Sequence, residues 1–272
     1  MALEAMQAGA VDVMEKPAGS FSAQADGARL AEKIRAAASA RLNSLVNAQP
    51  WEDLKRTREA VVVKAASQQL MRRIILVGAS TGGTEALKTM LTGMRGDLPG
   101  VCIVQHIPAY FSKAFADRLN QICPMEVREA RNADVVTPGL ALVAPGGYHM
   151  VLKWQGNHYV AELNQGPMLH HQRPAVDILF DSAVRAGAGP HAVAALLTGM
   201  GADGAAGLLR LREAGANTIA QNEETCVVFG MPREAIRLNA AQHVLPLQDI
   251  GPSLSRLSLA RPNNDRVLCN HK

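Results

Sequence analysis

The chain has 272 residues, 48% of them hydrophobic and 4% aromatic, with 28 basic against 24 acidic side chains and a formal net charge of +4. That length suits one large domain, or one of roughly 200 residues with an appendage, and a core of Ala, Val, Leu, Ile and Met suits buried parallel strands flanked by helices. Scattered Lys and Arg, with no run of five, leave no electrostatic footprint for nucleic acid; no apolar stretch reaches the roughly 18 residues of a membrane span, and an N-terminus carrying Glu4 and Asp12 without a basic region is unlike a signal peptide, so no membrane insertion is expected and the expected location is the cytoplasm.

Residues 1–17, MALEAMQAGAVDVMEKP, read as a short helix running into a brief strand, stopped by Pro17. Alone they are too short to fold. Residues 18–71 are richer in Ala, Gln, Ser, Arg and Glu and read as a linker, partly helical. Within it Leu30, Ile34, Ala38, Leu42 and Leu45 recur at helical spacing over residues 26–47, with Asp26 as a cap and Pro50 as a breaker. From residue 72 the texture changes. RRIILVGAS leads into TEALKTMLTGM, LPGVCIVQHIP into SKAFADRLNQIC, HAVAALLTGM into DGAAGLLRLREAG, and NTIAQ is followed by PREAIRLN. This repeated strand–loop–helix order predicts an α/β fold, a mainly parallel sheet flanked by helices on both faces. Residues 134–165 break the pattern with Pro-Gly, Pro-Gly-Gly and Gly-Asn turns and read as antiparallel hairpins inserted in that sheet. Residues 72–258 are thus the expected main domain, and 259–272 a polar tail.

The segment LVGASTGGTEAL (76–87) joins a predicted strand to a predicted helix. Its glycines permit a sharp turn, and Ser80 falls at a strand's carboxyl end beside helix N–H groups able to hold an oxyanion. On its own the segment leaves three readings open: a nucleophile turn, a phosphate-binding turn and a purely structural one. It has neither the G-x-G-x-x-G spacing nor the lysine of a phosphate loop. A serine hydroxyl needs a base, and in open α/β sheets partners come from other strand ends. His106 ends the strand VCIVQ and Asp203 follows LLTGMGA, where it could orient an imidazole or merely cap a helix. His149 follows a Pro-Gly-Gly turn at a position to line the cleft; His158, His170, His171, His191, His243 and His271 read as structural or solvated. The four cysteines form no C-x-x-C pair and sit at no zinc spacing. They read as buried small hydrophobes in a reducing compartment.

Seven segments, in order, resemble the catalytic domain of CheB-type chemotaxis methylesterases: GASTGGTEAL, VQHIP, FADRLN, PGLALVAPGGYHM, HQRPAVDILFDS, LLTGMGADGAAGLL and AQNEETCVVFGMPREAI, over about residues 73–258. The resemblance implies nucleophile Ser80, base His106 and orienting Asp203, with the cleft at Thr81, Met200 and Gly201 and an oxyanion site near the backbone of Thr81 and Met200. It implies a parallel sheet with an antiparallel hairpin near the active site, no cofactor and no metal. The implied substrates are glutamate γ-methyl esters on cytoplasmic helices of methyl-accepting chemotaxis receptors, with deamidation of receptor glutamines as a second activity. AMQAGAVDVMEKP resembles the end of the receiver domain that precedes the catalytic domain in this family, Lys16 standing where the receiver's lysine does before Pro17. A receiver's acidic strands and phospho-acceptor are not matched, so contact with a phosphodonor kinase is not expected. Two other classes compete: a nucleotide-binding module using the glycine turns, and a catalytically idle adaptor.

Overall fold

A computed structural model of the chain describes residues 5, 10–14, 23–41 and 68–260. In chain order the helices are α1 (Ala23–Ser39), α2 (Gln68–Met71), α3 (Gly83–Thr92), α4 (Ala109–Ile122), α5 (Val176–Arg185), α6 (Ala205–Glu213), α7 (Met231–Arg237) and α8 (Leu247–Leu259). The strands are β1 (Ile74–Ala79), β2 (Gly100–Gln105), β3 (Glu126–Glu129), β4 (Asp134–Val136), β5 (Leu140–Val143), β6 (His149–Gln155), β7 (His158–Asn164), β8 (Ala192–Leu196), β9 (Asn217–Gln221) and β10 (His243–Leu245).

Seven strands form one sheet in the order β10-β9-β8-β1-β2-β5-β3, and every pairing in it is parallel. The apolar runs explain this. All six residues of β1 and of β2 are buried, as strands covered on both faces require. Successive side chains point to opposite faces: Ile75 and Val77 pack with Leu87, Met90, Phe115 and Leu254, whereas Ile74 and Leu76 pack with Leu179, Phe180, Leu208 and Met231. Helices α3, α4 and α8 cover the first face; α5, α6 and α7 cover the second. From β1 the chain builds outward through β2, then returns to β8 on the other side of β1, so the strand order reverses around β1. Ligand sites in such sheets open at the carboxyl ends there.

The expected inserted hairpins differ in detail. LALV (β5) joins the parallel sheet, while β4, β7 and β6 make a separate three-stranded antiparallel sheet. Met150, Leu152, Tyr159 and Ala161 of that sheet pack into the second core face. Strand β3 had no clear sequence signal, because EVRE is a short edge strand with only Val127 buried.

The N-terminal expectations are corrected where the structure describes them. Residues 10–14 form no strand. Helix α1 runs Ala23–Ser39 instead of 26–47, so Asp26 lies within its first turn rather than ahead of it. Its apolar stripe does not face the domain: Leu30 and Ile34 are 48% and 59% exposed. Contact comes instead from Ala36, buried against Val227 and Val228, and from the Arg41 N–H, which donates to the Val227 carbonyl at 2.9 Å. Lys16, Pro17, the stretch 42–67 and residues 261–272 lie outside the described residues.

Candidate active site

Three adjacent strand ends build the site. Ser80 follows β1. Its N–H donates to the Thr198 carbonyl at 3.0 Å, and its carbonyl accepts from Gly83 N–H at 2.7 Å and from Gln105 Nε2 at 2.8 Å. Gly82, with φ 78°, turns the chain into α3. His106 follows β2, its N–H bonded to the Ala79 carbonyl at 3.1 Å, so its main chain lies beside that of Ser80. Asp203 lies on the loop after β8. This loop presses against Ser80, since a Cβ placed on Gly199 would fall 2.6 Å from the Ser80 Cβ.

The side chains meet. His106 Nδ1 is 3.1 Å from Ser80 Oγ, and His106 Nε2 is 2.8 Å from Asp203 Oδ2. Both His106 and Asp203 side chains are almost fully buried. The allocation of nitrogens follows from the sheet. Ser80 sits beside the His106 backbone, within reach of the near nitrogen, whereas Asp203 arrives from β8, beyond β1, and meets the far one. With Nε2–H donating to Asp203, Nδ1 is left as the lone-pair nitrogen facing the hydroxyl.

Asp203 rests on the start of α5. Val176 N–H donates to its Oδ2 at 2.7 Å and Asp177 N–H to its Oδ1 at 2.9 Å, where the helix dipole favours an anion. Burial pushes this carboxyl up, but the hydrogen bond and charge of His106 and the two amides overcome that and hold it below the usual carboxylate value. Close packing fixes the approach: Val176 sits between Gly78 and Gly204, where a Cβ would lie 2.3 Å and 2.5 Å from its Cγ1.

Of the other expected cleft residues, Thr81 lines the cavity at Ser80, whereas Met200 and Gly201 line a neighbouring pocket with Val227, Val228 and Arg233. Thr81 is buried. Among the described residues no acceptor engages the N–H of Thr81 or of Met200; Thr81 follows Ser80 in its own turn, and Met200 follows Gly199, whose loop packs against Ser80. Gly201 is exposed and takes φ 84°, turning that loop toward Asp203.

His149 does not line the cleft. It is fully buried, with Nε2 2.9 Å from the Pro167 carbonyl and Nδ1 accepting from Ala175 N–H at 3.2 Å; burial keeps its pKa low. It braces the loop leading into α5. His170, expected to be merely structural or solvated, contacts Asp177 at 3.2 Å. Three residues near the site escaped sequence reading. Gln105 pins the Ser80 carbonyl, and its only signal was its place beside His106. Asp177 touches Asp203 through its amide. Asp12 accepts from Thr81 Oγ1 at 2.8 Å, and Asp12 and Val13 line a cavity of about 20 Å³ beside Ser80 and His106. His170, Asp177 and Asp203 offer ligand atoms within 4.8 Å of one another, but main-chain amides already hold both carboxylates. Cys102, Cys123 and Cys226 are buried free thiols; Cys269 lies outside the described residues. No helix among them is long and apolar enough to cross a membrane.

Comparison with known proteins gives the family. The chain is 47% identical over 257 residues to the Syntrophus aciditrophicus protein-glutamate methylesterase/protein-glutamine glutaminase 2, covering 94% of this chain and 73% of that one. It is 47% identical to the Bdellovibrio bacteriovorus protein-glutamate methylesterase/protein-glutamine glutaminase, covering 93% and 71%. The crystal structure of the Thermotoga maritima CheB methylesterase catalytic domain aligns with a TM-score of 0.66 at 36% identity, covering 68% of this chain and 98% of that domain. A family model described as CheB methylesterase matches residues 75–254, from β1 into α8 and across all three strand-end residues. On that match, running over nearly the whole α/β unit, the chain belongs to the CheB methylesterase family.

Proposed function

We propose that the chain hydrolyses γ-methyl esters of glutamate side chains on the cytoplasmic helices of chemotaxis receptors, releasing methanol, and deamidates receptor glutamines by the same route. The contact series Ser80–His106–Asp203, at 3.1 and 2.8 Å across three strand ends, carries the reading. The family and the names of its relatives supply the substrate class.

The geometry supports the following steps. Ser80 Oγ attacks the ester carbonyl as His106 Nδ1 takes its proton. The imidazolium that forms is stabilised by Asp203, which holds Nε2–H and stays ionised. The N–H groups of Thr81 and Met200 receive the oxyanion. His106 then protonates the departing methoxide, and water, deprotonated by the same nitrogen, cleaves the acyl-enzyme. With glutamine the leaving group is ammonia. Every proton transfer is assigned to a side chain of this protein, and no cofactor enters.

The test is methanol release from methylated chemoreceptor membranes by wild type and Ser80→Ala. Loss of the nucleophile is expected to lower kcat on the order of 10⁴-fold or more. Turnover by Ser80→Ala within tenfold of wild type would rule the mechanism out.

A further inference from the structure

Asp177 takes no part in the steps above, yet it lies directly behind their acid. It is the second residue of α5 and is buried. Its N–H donates to Asp203 Oδ1 at 2.9 Å, and its own Oδ1 accepts from Gly207 N–H at 2.6 Å, in the first turn of α6. The two aspartates are therefore cross-held. Asp203, just before α6, rests on the amides that open α5, and Asp177, inside α5, rests on an amide that opens α6. Neither helix can tilt without moving both carboxylates.

Two buried carboxylates this close repel, and an imidazole stands at the solvent side. His170 Nε2 is 3.2 Å from Asp177 Oδ2, with its side chain about half exposed. Its left-handed backbone (φ 51°) lies in a tight loop, closed by paired main-chain hydrogen bonds between Leu169 and Gln172. The charged or titratable groups facing Asp177 are Asp203 from the loop before α6, His170 from the loop before α5, and Arg210 from α6. Arg210 Nη2 stands 3.9 Å off, while its Nε is committed to Asp181 at 2.6 Å. His106 stands behind Asp203.

We propose that Asp177 and His170 form a positioning pair for Asp203: Asp177 holds Asp203 in line with His106 and adds a second negative charge behind it, and the His170 imidazole, in contact with Asp177 Oδ2, tempers that charge from the surface. The proposal rests on the Ser80–His106–Asp203 reading. It makes the strength of His106 as a base the resultant of the charges aligned behind it. Removing the Asp177 charge weakens the base; removing the His170 contact, which draws on that charge, strengthens it.

The experiment is the pH profile of kcat/KM for methanol release by wild type, Asp177→Asn and His170→Gln. In Asn the side-chain oxygen still accepts from Gly207 N–H, so the helix contact persists without the charge. The acid limb is expected to move down by roughly 0.3 to 1 pH unit in Asp177→Asn and up by a similar amount in His170→Gln. A purely structural role predicts a uniform fall in kcat with the limb unmoved in both, and that result overturns the proposal. If Asp177→Asn does not fold, His170→Gln decides alone, since it alters a half-exposed side chain: an upward shift supports the proposal and no shift overturns it. Ser80→Ala, assayed alongside, separates failure of this pair from failure of the underlying reading, because only the latter leaves that variant active.

Discussion

Replacing Asp203 by Asn keeps the side chain's shape and removes its charge, and the surroundings dictate how the amide sits. Three donors face the carboxylate: His106 Nε2–H and Val176 N–H share Oδ2, and Asp177 N–H meets Oδ1. The single amide oxygen is drawn to the site with two donors, which leaves Nδ2 against the Asp177 N–H. His106 then keeps its tautomer, unlike the serine-protease case, in which the same substitution reverses the tautomer and costs about 10⁴-fold. What is lost is the anionic partner of the imidazolium, a charge-assisted hydrogen bond worth about 1.5–3 kcal/mol. At about 1.4 kcal/mol per factor of ten, that is roughly a 10- to 150-fold fall in kcat. The opposed donors at Asp177 cost about 1–3 kcal/mol of stability. Initial rates of methanol release and thermal melts read the two effects separately. A fall near 10⁴-fold would refute the retained tautomer, since the amide would then have presented Nδ2 to His106 Nε2 and moved the ring proton to Nδ1. A fall of less than threefold would refute any electrostatic role for Asp203.

Four further outcomes are expected. Gly199→Ala places a methyl 2.6 Å from the Ser80 Cβ; it should cost about 1–3 kcal/mol in a melt and, by displacing the Met200 N–H, about 10²-fold in kcat, whereas full activity would remove that amide from the oxyanion site. Burial, then the charge of Asp203, pushes the Asp177 carboxyl up; such a group adds stability fully below its unfolded pKa of about 3.9 and loses it as pH rises through the folded value. The melting temperature of Asp177→Asn relative to wild type should therefore rise between pH 4 and pH 7, and a pH-independent difference would contradict this. Asp12→Ala frees Thr81 and opens the cavity beside Ser80, so KM for the ester should fall several-fold; an unchanged KM means residues 10–14 do not hinder entry. Burial pushes the Cys123 and Cys226 thiols up to about 12 and raises Cys102 as well; iodoacetamide at pH 8 should label none of the three in the folded protein, as peptide mass mapping would show, and rapid labelling would contradict their burial.

The sheet was legible in the sequence because most of its strands are continuous apolar runs, and Ser80, His106 and Asp203 each stood just past such a run, Ser80 and Asp203 in glycine-rich turns and His106 before Ile107-Pro108. What failed was written in weaker signals. EVRE carries the polarity of an edge, so β3 had no apolar run to betray it. The stripe Leu30–Ile34 has helical spacing, but spacing says nothing about which face meets the domain, and the small Ala36 made the contact. Asp177 looked like an ordinary residue of a helix's first turn. Its nearness to Asp203 comes from the crossing of α5 and α6, and the pairing of His170 with it depends on a left-handed backbone that no pattern in the sequence announced.

The use of Nδ1 toward Ser80 and Nε2 toward Asp203 has a consequence for how such sites are recognised. In the serine-protease arrangement the serine faces Nε2 and the aspartate faces Nδ1. Here the imidazole is traversed in the opposite sense, because Ser80 and His106 hang from neighbouring parallel strands. A three-dimensional search keyed to the Nε2–Oγ vector would pass over this protein while finding all three residue types within bonding distance. The invariant worth searching for is the order of proton donors and acceptors along the contact series, with the position of the ring in it left free.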